Sequence, residues 1–60
     1  METTNAPVNE GMCGEDSGHD FRIINERKSE VQIEYVEDGR QAWFVRNRFE
    51  VDTNGEAHLI

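Results

Sequence analysis

One cysteine, one proline and one tryptophan in sixty residues leave this chain without the usual staples of a small domain. A lone Cys13 cannot close an intrachain disulfide, and one thiol with two histidines falls short of a structural zinc set. Small secreted domains generally depend on such staples, so the composition points to the cytoplasm. No apolar run approaches the ~20 residues needed to cross a bilayer. The opening Met1-Glu-Thr-Thr-Asn-Ala-Pro7 has neither the basic start nor the apolar centre of a secretory signal. Bases are scarce as well: six Lys and Arg face thirteen Asp and Glu, for a net charge of −7. That deficit disfavours nonspecific binding to nucleic acid, where phosphate neutralisation supplies most of the affinity, and it disfavours anionic membranes. Another protein is the expected partner, nucleic acid a less favoured one, and membrane none.

Catalytic and cofactor features are also missing. Gly11 and Gly14 are followed by no apolar helix pattern, so there is no phosphate-binding loop. Cys13 lies among Glu10, Glu15 and Asp16, which oppose thiolate formation and argue against a nucleophile. Cys13, His19, Asp20 and His58 are the conceivable metal ligands, but the Gly-Glu-Asp-Ser-Gly stretch between the first two gives no reason for order. Neither an enzyme nor a cofactor or metal site is expected.

The first twenty residues form a composition class of their own. They hold three of the five glycines, the only proline, five acids and no base, and their few apolar residues follow no period. Residues 1–20 are therefore expected to be a disordered acidic tail, followed by one domain over residues 21–60. Within that domain the clearest signal is Val31–Val51, where two alternating segments flank Asp38-Gly39, a dipeptide suited to a type I′ hairpin. With those two residues as the loop, Tyr35 pairs with Ala42, Ile33 with Phe44 and Val31 with Arg46. Val31, Ile33, Tyr35, Ala42 and Phe44 then share the core face. Gln32, Glu34, Val36, Gln41, Trp43 and Val45 share the other, with Trp43 opposite Glu34. Phe21-Arg-Ile23 alternates and Ile24 breaks the alternation, which predicts a bulge or a strand end there. Asn25–Ser29 reads as a polar reversal, Arg46-Asn-Arg48 as a tight turn of 3₁₀ type, and Phe49-Glu-Val51 as a strand. Asp52–Gly55 is a further turn, and Glu56–Ile60 a short last strand with Ala57 and Leu59 on one side. The expected fold is all-β, a small five-stranded barrel whose closure removes exposed edges.

Tyr35-Val-Glu-Asp-Gly-Arg-Gln-Ala-Trp-Phe44 and Val45-Arg-Asn-Arg-Phe-Glu-Val51 together resemble small barrels of the Src-homology-3-like type, including Tudor and KOW relatives. The likeness covers roughly residues 20–52. It implies an acidic-Gly hairpin, an aromatic strand, a one-turn 3₁₀ element and a short strand after it. The chain departs from the peptide-binding members, having no paired tyrosines before Phe21, no proline in the 3₁₀ turn and too few aromatics for a methyl-lysine cage.

Trp43, with Val36 and Val45 on the same face, either anchors a partner or is covered by the tail or the last strand. Arg46 and Arg48 either hold phosphate or carboxylate groups or offset neighbouring acids across strands. The acids themselves either imitate a phosphate backbone or serve solubility. The reading these residues support is a non-catalytic adaptor or inhibitor, of the kind a phage or mobile element uses to modulate a host protein. Trp43, Val45, Val36, Arg46 and Arg48 form its contact set. The alternative is a nucleic-acid-associated module in the manner of Tudor or KOW barrels. A weak homodimer burying Trp43 and Val45 is the third reading.

Overall fold

A computed structural model describes residues 8–60. It contains six strands: β1 (Cys13–Asp16), β2 (His19–Glu26), β3 (Glu30–Tyr35), β4 (Gln41–Val45), β5 (Phe49–Val51) and β6 (Ala57–Leu59). One 3₁₀ turn, Arg46–Arg48, links β4 to β5. The strands make one sheet in the order β4-β3-β2-β1-β6-β5, curled into a half-barrel. Every pairing is antiparallel except β1 with β6. No helix among the described residues is long and apolar enough to cross a membrane.

The expected tail boundary is corrected by this arrangement. Residues 13–20 form β1 and the start of β2, and Val8 lies fully buried in the core with Phe21, Ile23, Val31, Ile33, Phe49 and Ala57. Residues 1–7 of that tail lie outside the described residues. The backbone binds the segment after Val8 to β2, with Gly11 N–H donating to the Ile23 carbonyl (2.7 Å) and Ile23 N–H to the Met12 carbonyl (2.8 Å). Composition conceals β1 because its buried position is a glycine. A Cβ at Gly14 would collide with the Ala57 carbonyl and stand 2.7 Å from the Phe21 ring. What Gly14 contributes is room for β6 to lie close against β1.

The hairpin register also differs from expectation. Ile33 pairs with Ala42, Val31 with Phe44 and Gln32 with Trp43, a slip of two residues that leaves Val36–Gly39 as a four-residue loop. The Asp38 carboxylate accepts the Arg40 backbone N–H (3.0 Å) and Nε–H (2.9 Å), and Gly39 N–H donates to the Tyr35 carbonyl at positive φ. These bonds favour the wider loop over a two-residue turn. A two-residue turn with positive φ at both positions does occur, at Ser17-Gly18 between β1 and β2. A slip of two keeps every side chain on its face. Val31 and Ile33 are accordingly buried, and Phe44 and Tyr35 pack on the core. The expected bulge falls at Ile24, and the 3₁₀ turn, β5 and β6 fall where the pattern placed them. Phe49 meets Phe21 and Phe44 edge-on at centroid distances of 5.9 and 6.2 Å, tying β5 to both halves of the sheet.

Candidate protein-contact surface

β4 is an edge strand, and its outward face carries Gln41, Trp43 and Val45. Trp43 is half-buried, with the Arg27 guanidinium stacked 3.8 Å from its ring centroid. Arg27 reaches it from the β2–β3 turn and also pairs with Glu30 at 3.3 Å. Gln32 Nε2 donates to Gln41 Oε1 across the strands (3.3 Å). Val45, at the strand end, is 43% exposed. It borders a shallow open depression of about 390 Å³ lined by Lys28, Ser29, Val45, Arg46 and Asn47.

Arg46 forms the floor of this depression rather than a free cation. Its Nη1 donates to the Val8 carbonyl (2.7 Å), its Nη2 to the Arg27 carbonyl (2.7 Å) and to Glu26 Oε1 (3.0 Å), and its Nε to the Arg27 and Lys28 carbonyls. The side chain is only 21% exposed. The hydrogen bond from Arg46, followed by one from the Glu10 backbone N–H, holds the Glu26 carboxyl below its ordinary pKa. Arg48 donates from Nε to the Ile60 carbonyl (2.7 Å) and lies 5.6 Å from the Phe44 ring centroid. Of the five residues expected from sequence, Trp43 and Val45 share the outward face of β4, Arg46 lines the depression beside Val45, Arg48 lies over Phe44 on the opposite face, and Val36 stands apart. Val36 sits in the β3–β4 loop at the other end of the hairpin, 65% exposed, its N–H bonded to the Asp20 carbonyl (3.0 Å). The slip in register moved it from strand to loop. Lys28 and Arg27, which no pattern of residues singles out, join the site because the β2–β3 turn folds beside Val45.

The conceivable metal ligands are not gathered. His19 Nδ1 pairs with Glu37 (2.8 Å), while His58 Nε2 bonds Asp52 (2.9 Å) on the far side of the sheet order. Each bond, with the charge of its carboxylate, raises the imidazole pKa. Asp52, Glu56 and His58 place ligand atoms within 4.8 Å of one another, a set that sequence spacing alone did not suggest. Asp52 Oδ1 is already taken by the N–H groups of Asn54 and Glu56, so the group also reads as the lock of the β5–β6 turn.

No family model matches the chain, and comparison with curated proteins and with solved structures gave no match.

Proposed function

We propose that this chain is a non-catalytic protein-binding module, an adaptor or inhibitor, that engages its partner through the outward face of β4 and the depression beside it. The observation that carries this reading is the adjacency of Trp43, braced by Arg27, to the exposed Val45 at the rim of that depression. A rigid aromatic next to apolar surface and a fringe of cations is the composition of an interface anchor. Lys28 and Arg27 give the rim positive charge, so the fitting partner segment is apolar with acidic flanks. As a finer reading of the fold, the sheet is a variant of the Src-homology-3-like barrel. The β2–β4 meander, the acidic-Gly loop and the 3₁₀ turn support this, while β6 lying between β1 and β5 is a departure.

A photo-crosslinking residue at Val45 captures the partner for identification, and binding is then measured with purified components. Trp43→Ala is expected to weaken it by about 2 kcal/mol or more, with modest salt dependence. The alternative, a Tudor- or KOW-like nucleic-acid module, predicts binding to a labelled single-stranded oligonucleotide at about 150 mM salt with a steep salt slope. That outcome, with Trp43→Ala leaving protein binding intact, overturns the proposal.

A further inference from the structure

The outward backbone edge of β4, as distinct from its side-chain face, is unpaired among the described residues. Tyr35 N–H donates to the Arg40 carbonyl and Arg46 N–H to the Ser29 carbonyl, which sets the parity of the ladder. Ala42 and Phe44 therefore bond to β3, and the N–H and C=O groups of Gln41, Trp43 and Val45 point outward. Edges of this kind are normally blunted by charge, proline or shortness. The other edge, β5, is three residues long and carries Glu50, whereas Gln41-Ala-Trp-Phe-Val45 contains no acid, base or proline.

Charge is divided between the two ends of this strand. At its start lie Glu37 and Asp38, the latter paired with Arg40, with Asp16 and Asp20 behind them on β1 and β2 near the same end, as the His19–Glu37, Tyr35–Asp16 and Val36–Asp20 contacts show. At its finish, Arg27, Lys28, Arg46 and Arg48 outnumber Glu26 and Glu30. An antiparallel β4–β4 contact sets each acidic end against the other copy's basic end, twice over, whereas a parallel contact sets like against like. We propose that two copies of this chain associate through antiparallel pairing of their β4 edges, with Trp43 opposite its counterpart and Gln41 opposite Val45. The contact is isologous and closes on itself. It is made through the strand's backbone, and it shares Trp43 and Lys28 with the partner surface proposed above.

Val45 offers a clean probe. Its φ of −68° is already that of a proline, and its N–H takes no part in the β3 ladder. Sedimentation velocity from low micromolar to near-millimolar chain should show a monomer–dimer equilibrium that weakens with salt. Val45→Pro should keep the circular dichroism and melting curve and weaken dimerisation by about tenfold or more. Glu37→Lys and Lys28→Glu should each weaken self-association, and an equimolar mixture of the two variants should recover part of it as a heterodimer, because one contact in that pair keeps both native ends. A single monomeric species throughout the range overturns the proposal. So does a dimer that Val45→Pro leaves unchanged, or a mixture of the two charge variants that associates no more tightly than either variant alone.

Discussion

Arg46 places its guanidinium where three stretches of chain converge: the Val8 segment, the β2–β3 turn and the end of β4. Its removal leaves several carbonyls without a donor, a penalty of ~1–3 kcal/mol. At ~2 kcal/mol, the middle of that range, Arg46→Ala is expected to lower the melting temperature by about 8–16 °C, since ~1 kcal/mol corresponds to about 4–8 °C at this size. Arg46→Lys should recover little, because an ammonium cannot reproduce the fork that reaches all three segments. At the same scale, the histidines make stability depend on pH. His19 and His58 have raised pKa values through hydrogen bonds to Glu37 and Asp52, so their contributions are full below about 6.5 and are lost as pH rises through the raised values. Glu26, Asp38 and Asp52 have lowered values, so theirs are full above about 4.5 and are lost as pH falls through the lowered ones. The melting temperature should peak between those limits and decline towards neutral and alkaline pH. His58→Gln should flatten part of the alkaline limb. A melting temperature that rises from about pH 6 to about pH 8 contradicts this assignment.

Among the strands, β1 depends on a position with no side chain. Gly14→Ala is expected to part β1 from β6 or displace Phe21, because neither the Ala57 carbonyl nor that ring can move far. A loss of ~2 kcal/mol or more by chemical denaturation is expected, in the range of overpacked cores, with amide protection lost first at Ala57 and His58. Gly14 also explains which elements were legible. β2 to β6 announce themselves through apolar alternation and turn residues, and their faces survive a wrong hairpin register because that error was an even number of residues. β1 has no apolar residue on its buried face, so a pattern of hydrophobicity is blind to it. The contact surface was legible in part. Trp43 and Val45 were marked by facing away from the core, whereas Arg27 and Lys28 reach the site only through the tertiary placement of their turn. Val36 was misplaced by the same two-residue slip, since loop and strand exchange at the hairpin's end.

In the whole molecule, β1 is the strand that joins two sub-sheets, β2–β4 on one side and β5–β6 on the other. A chain beginning at Phe21 loses that bridge together with Val8, one of the fully buried core residues. It is expected to show no cooperative thermal transition, and a sharp transition near that of the full chain would refute the bridging role. Sixty residues leave little margin, because small domains bury only about 60% of the surface exposed by the unfolded chain. The position of β6 carries one more consequence, for synthesis in the cell. A strand made after all the others lies between the first and the fifth, and it is the parallel neighbour of β1. While Ala57–Leu59 remain inside the ribosomal tunnel, β5 has nothing to pair with and the bridge of β1 is half made. The nascent chain can hold its β2–β4 meander but cannot close its sheet, so native structure is reached only after those residues emerge.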